Sequence, residues 1–109
     1  MTKPITSVNR YHVVAGRVDE FMEIIDRHAA TLRELELITS REVDVFSGVE
    51  RDTGLPVVIE IFEWADDDAT ERAHTHPAVS RVWESMGPLC EPRGHRGPFE
   101  FLNLERLDR

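Results

Sequence analysis

The side chains best suited to chemistry in this sequence cluster in and just after the run VVIEIFEW, Val57 to Trp64. Strand alternation sends Val58, Glu60, Phe62 and Trp64 to one side and Val57, Ile59, Ile61 and Glu63 to the other. A carboxylate among aliphatic and aromatic neighbours is costly as an unpaired anion, and apolar walls bring proton uptake by such a group closer to neutrality. Glu60 is therefore a candidate general base for a phenolic proton, with Phe62 and Trp64 as candidate walls of a small-molecule cavity. The competing reading is structural, with Glu60 neutralised by Arg10 or Arg81 and Trp64 serving only as packing.

Other polar side chains extend the set. His76 is either a catalytic partner of Glu60 or a helix cap, because it directly precedes Pro77. His74-Thr75-His76 could chelate a metal, but it lacks the spacing of helical or Cys-based sites, so no metal is expected. Asn9 and Tyr11, in NRYHVV, either hydrogen-bond a ligand or anchor their strand. His28 falls on a helical apolar stripe and reads as a satisfied core or border histidine. Cys90 has no neighbouring His or Cys motif to activate it and reads as structural.

These side chains need a scaffold, and hydrophobic periodicity supplies one. Thr6 to Val14 reads as a first strand closed by Gly16, with Asn9, Tyr11 and Val13 on one face. Phe21, Ile24, Ile25, His28, Leu32 and Leu35 recur at steps of three and four, which predicts a helix from about Val18 to Leu37. Glu42 to Val49 alternates, and RDTGLP turns it into Val57 to Trp64 as a hairpin. Asp66, Asp67 and Asp68 open a short helix through about Ala73. Pro77 starts another, carrying Val79, Val82, Trp83 and Met86 and ending at Gly87-Pro88; Trp83 joins the candidate substrate-binding residues. The segment PFEFLNLERL reads as a last strand.

Strand, helix, two strands, helix, strand is the order of the split βαβ, ferredoxin-like α+β plan: one antiparallel sheet with helices on one side. If Glu60 and Trp64 face the helices, then Val57, Ile59 and Ile61 lie on the helix-free face. An apolar sheet face in water is a liability that pairing with a second copy removes, so a homodimer is expected.

Composition narrows the function classes. The 109 residues suit one domain, 1–109, and 40% hydrophobic content suffices for a core without staples. A formal net charge of −8 opposes nucleic-acid binding, which needs clustered Lys and Arg; Arg93, His95 and Arg96 are too few. A lone cysteine fits a reducing, cytoplasmic setting. The sequence contains neither an apolar run long enough to span a membrane nor a signal-like leader at MTKPITSVNR, so no membrane partner is expected.

The strand ending in EW and the following ADDDATERAHTHPAVSRVW resemble the antibiotic biosynthesis monooxygenase-like family of dimeric α+β barrels, over roughly Ser7 to Leu104. That resemblance implies the same sheet-and-helix fold and two catalytic branches. In the cofactor-independent, quinone-forming branch, Trp64 matches the strand tryptophan, Glu60 stands where the family has asparagine, and Thr70 and Glu84 fall near its tyrosine and arginine. In the haem-degrading branch Asn9 resembles the strand asparagine, but Ala73 and Val82 fall near the tryptophan and histidine, so no haem or other cofactor is expected. The resemblance thus implies an oxidoreductase-like pocket for a small aromatic molecule, a cofactor-independent monooxygenase of an aromatic or polycyclic phenol. Two alternatives remain: a non-catalytic ligand-binding or stress-associated barrel, and an isomerase or decarboxylase moving protons through Glu60 and His76.

Overall fold

The structure, a computed structural model, describes residues 4–108. Strand β1 (Ile5–His12) leads through the Val14–Arg17 turn, where Gly16 takes φ 83°, into helix α1 (Val18–Glu34). Strands β2 (Asp44–Val49) and β3 (Pro56–Trp64) form a hairpin; helices α2 (Ala69–Thr75) and α3 (Pro77–Met86) follow, and β4 (Phe99–Leu104) closes the order. All pairings are antiparallel and the strand order is β2-β3-β1-β4, so the sheet is that of the ferredoxin-like α+β plan. Among the described residues no helix is long and apolar enough to cross a membrane.

Alternation decides which side each strand residue serves. Along β3, Val58, Glu60, Phe62 and Trp64 are buried while Val57, Ile59, Ile61 and Glu63 are only partly so. The β1 residues Ser7, Asn9 and Tyr11 share the helix side with them. Two clusters fill the space beneath the helices. One gathers Tyr11, Phe21, Ile24, Ile25, Val58, Val82 and Met86; the other gathers Leu32, Leu37, Ile38, Phe62, Trp64, Ala73 and Val79. Trp83 packs against both.

Two helix ends differ from the periodicity reading, each for a local reason. α1 stops at Glu34 rather than near Leu37, because Glu36 turns into the left-handed region at φ 59°. Leu37 N–H then reaches Leu32 O at 2.9 Å and Glu36 N–H reaches Arg33 O at 3.0 Å, the paired bonds of a Schellman ending. Before α2, the acid that acts is Asp66: its Oδ1 accepts from the Asp68 N–H at 2.9 Å and its carboxylate pairs with Arg72, whereas the Asp68 side chain caps nothing. Far from the helices, Arg93 is buried against Glu50, with Nη1 to Oε1 at 2.6 Å, and ties the hairpin end to Val13 O and Pro56 O.

Candidate active site

Strand register builds the floor of a cavity in three rungs. Asn103, Ser7 and Phe62 form one; Phe101, Asn9 and Glu60 the next; Phe99, Tyr11 and Val58 the third. Cross-strand neighbours on one face lie close enough to touch, so Ser7, Asn9 and Tyr11 form a central polar row flanked by aromatic, aliphatic and further polar side chains. α1 lowers His28 onto this floor from its buried stripe, and α3 brings Trp83. The cavity, open at its rim, holds about 340 Å³, with Trp64, Met86, Thr70 and His74 completing its walls. That volume suits a small organic ligand.

One hydrogen-bonded chain runs through the floor. Ser7 Oγ donates to Asn9 Oδ1 at 2.9 Å, and Asn9 Nδ2 donates to Glu60 Oε1 at 3.3 Å. Tyr11 donates its hydroxyl to the same oxygen at 2.8 Å, and His28 Nδ1 lies 2.9 Å from Glu60 Oε2. On the other side of the imidazole, Trp83 Nε1–H donates to His28 Nε2 at 3.0 Å. An indole N–H can only donate, so Nε2 accepts and the ring proton sits on Nδ1, directed at the carboxylate. Glu60 is fully buried, and the donors that satisfy it are three uncharged side chains rather than Arg or Lys. Desolvation first, then the neighbouring carboxylate, pushes the Tyr11 hydroxyl well above its ordinary 10.0, so Tyr11 acts as a donor and not as a base.

The aromatic walls hold edge-to-face geometry. Phe62 and Trp64 meet at 4.9 Å and 85°, and Trp64 Nε1–H is anchored by Asn103 Oδ1 at 3.1 Å. At the β4 side, Phe99 and Phe101 stack at 5.9 Å and 8°, with Phe101 60% exposed at the rim. His74 sets its ring edge-to-face with Trp83 at 4.8 Å.

Several candidates from the sequence meet here: Asn9, Tyr11, Phe62, Trp64 and Trp83 all line the cavity. Glu60 lies one layer behind and touches the cavity only through Asn9, Tyr11 and His28. Its expected arginine partners are elsewhere engaged or absent from its bonds: Arg10 pairs with Glu100 at 3.8 Å across the helix-free face. His76 is not brought to the cavity; its Nδ1 accepts from the Ala78 N–H at 3.1 Å and caps α3, because Pro77 at the first helical position turns the imidazole back onto the helix start. His74 and His76 therefore diverge, and among the described residues no group of three or more His, Cys, Asp or Glu is placed to hold a metal ion. Cys90 lies outside the cavity, its thiol pushed up to about 12 chiefly by burial. The residue that sequence reasoning undervalued is His28; an ionisable side chain at a core position of an apolar stripe was its one signal.

No protein-family model matches the sequence, and no curated protein sequence does. Solved structures match it closely in fold. A variant of SnoaB, a cofactor-independent oxygenase from Streptomyces nogalater, superposes with a TM-score of 0.71 at 23% identity, over 98% of this chain and 96% of that one. A candidate antibiotic biosynthesis monooxygenase from Caulobacter crescentus gives 0.68 at 17% identity, over 98% and 92%. A dimeric ferredoxin-like protein of unknown function from Jannaschia gives 0.66 at 19% identity, over 94% and 99%. The fold of this chain is that of the antibiotic biosynthesis monooxygenase-like, ferredoxin-fold proteins.

Proposed function

We propose that the cavity binds a small aromatic or polycyclic phenol and removes its acidic proton at His28 Nε2, making the chain a cofactor-independent monooxygenase. The observation that carries this reading is the Glu60–His28 pair at 2.9 Å in a cavity-lining residue, with Nδ1 held by a buried carboxylate and Nε2 engaged only by the partly buried Trp83 indole. A carboxylate behind an imidazole fixes its tautomer and stabilises the cation formed when the far nitrogen takes a proton. Glu60 thus orients the imidazole and His28 is the group that meets substrate. Asn9, Tyr11 and Ser7 hold Glu60 in place. Phe62, Trp64 and Phe101 flank the ring, and the apolar walls limit water around the resulting anion.

The electron balance defines the substrate. A phenolate whose ring carbon can pass through a CH2-ketone tautomer gives up four electrons to O2, so one oxygen atom enters the substrate and the other leaves as water. 1-Naphthol meets that requirement, giving 1,4-naphthoquinone and water. Oxygen uptake matched by quinone absorbance, with no added flavin or metal, tests the reading; binding of 1-naphthol without uptake overturns it. SnoaB, described as a cofactor-independent oxygenase, lends support through shared fold alone.

A second reading, a non-catalytic ligand-binding protein, draws on one observation: Ser7, Asn9, Tyr11 and His28 are all already hydrogen-bonded within the chain. Proton transfer between Glu60 and His76, as an isomerase or decarboxylase would use, has no such support because His76 is committed to the α3 cap.

The working unit in this reading is a homodimer in a reducing cytoplasm. Its support is the helix-free face, where Phe46 and Leu102 are exposed beside the half-buried Val57, Ile59 and Ile61. The description of the Jannaschia protein as dimeric points the same way.

A further inference from the structure

We infer that Trp83 masks the base of this site: its indole N–H occupies His28 Nε2, an acceptor that a ligand's own O–H can win, so a ligand bonds the imidazole only by displacing the indole. This inference rests on the reading of the cavity as a ligand site with His28 at its centre, but not on any turnover there.

Most polar groups of the floor are buried and already committed; Asn103, which accepts from Trp64 Nε1–H, is exposed at the β4 edge. Ser7, Asn9, Tyr11 and His28 are each no more than 3% exposed, and the bonds that link them to one another or to Glu60 are buried. Breaking one of those leaves a buried polar atom without a partner, which costs far more than a typical hydrogen bond contributes. The Trp83–His28 bond is different. Trp83 is only partly buried, its bond to Nε2 is partly exposed, and the ring leans on the exposed His74. If the indole swings outward, its N–H reaches water, and the sole acceptor left bare is His28 Nε2. A phenolic O–H restores that bond and so makes the exchange nearly even. A methyl ether of the same shape has no donor to offer, so it binds with the Trp83–His28 bond in place. Trp83 thus keeps the base covered in the empty protein and yields it only to a ligand able to give up a proton.

The test compares 1-naphthol with 1-methoxynaphthalene by calorimetric binding to the full chain and to Trp83→Phe. In the parent protein the two ligands are expected to bind within about 10-fold of each other, because trading the indole N–H for a phenolic O–H at His28 Nε2 is nearly even. In Trp83→Phe, 1-naphthol no longer competes with the indole and its advantage over the ether grows by about 2- to 10-fold. Any gain from added space affects both ligands and leaves the ratio unchanged. A ratio unmoved by Trp83→Phe overturns the inference. Should Trp83→Phe fail to fold, hydrogen exchange of the Trp83 Nε1–H in the parent protein decides: exchange is expected to quicken with saturating 1-naphthol, and unchanged exchange with bound naphthol overturns the inference. Selective binding with no oxygen uptake sinks the monooxygenase reading while leaving this inference standing.

Discussion

Glu60 shows why a buried carboxylate cannot be understood from its own strand alone. Four hydrogen bonds from Asn9, Tyr11 and His28 converge on its two oxygens, and no arginine or lysine is among the partners. Glu60→Gln keeps the shape but puts an amide donor where only acceptors fit. With its NH2 at the Oε2 position the amide meets the His28 Nδ1–H, and turned the other way it meets the Asn9 and Tyr11 donors. The expected result is a loss of about 1–3 kcal/mol in urea unfolding, with proton-transfer activity down about 100-fold or more; a variant as stable and as active as the parent contradicts the network. Tyr11 carries a pH signature. Unfolded, it ionises near 10.0; folded, burial and the Glu60 carboxylate keep it protonated to well above that. The unfolded state therefore loses its proton first, so the contribution is intact below pH 10 and falls as pH rises beyond it. The slope is up to about 1.4 kcal/mol per pH unit. Cys90, raised by burial from 9.0 to about 12, falls off in a similar range, so the comparison belongs in a Cys90→Ala background. Urea unfolding at pH 8 and pH 11 should show a smaller alkaline loss in Tyr11→Phe than in its parent; equal losses count against the assigned cause.

At the scale of elements, period-two and period-three-to-four patterns carried most of the information. Glu60, Phe62 and Trp64 had to share a face once Val57 to Trp64 was a strand, and the α1 stripe placed His28 among Ile24, Ile25 and Leu32. The pairing of His28 with Glu60 was hidden because it depends on how α1 is seated over the β1–β3 register, a tertiary fact that no periodicity encodes. Of the two readings of His76, the helix cap holds and the catalytic one does not. Its helix does pack on the sheet, but an N-cap side chain turns back to the first free amides rather than outward. The end of α1 was equally illegible, since a glutamate at φ 59° carries none of the signal that glycine gives. Glu36→Gly should relieve that strain and raise stability by roughly 0.5–1 kcal/mol. Thermal or urea unfolding checks this, and a destabilised variant would show that Glu36 makes a compensating contact.

For the whole molecule, element order was enough to fix the ferredoxin-like sheet, and alternation was enough to identify its uncovered face. Phe46 at 58% exposure and Leu102 at 54% flank Ile59, Ile61 and Val8 there, with Arg10 and Glu100 paired beside them. A homodimer through this face predicts twice the chain mass by light scattering at micromolar concentration, and a shift to the monomer mass in Leu102→Glu. A parent protein that scatters as a monomer ends that proposal. The cavity lies on the opposite side of the sheet, so the dimer variant should keep its ligand site. What remains is whether His28, backed by Glu60, takes a proton from a bound phenol. The direct measurement is the rate of oxygen consumption with 1-naphthol, in the absence of flavin and metal, for the parent protein and for His28→Gln. The expected result is uptake by the parent that falls about 10²- to 10⁴-fold in the variant while the fold persists; uptake no greater than in buffer, or an undiminished rate in His28→Gln, contradicts it.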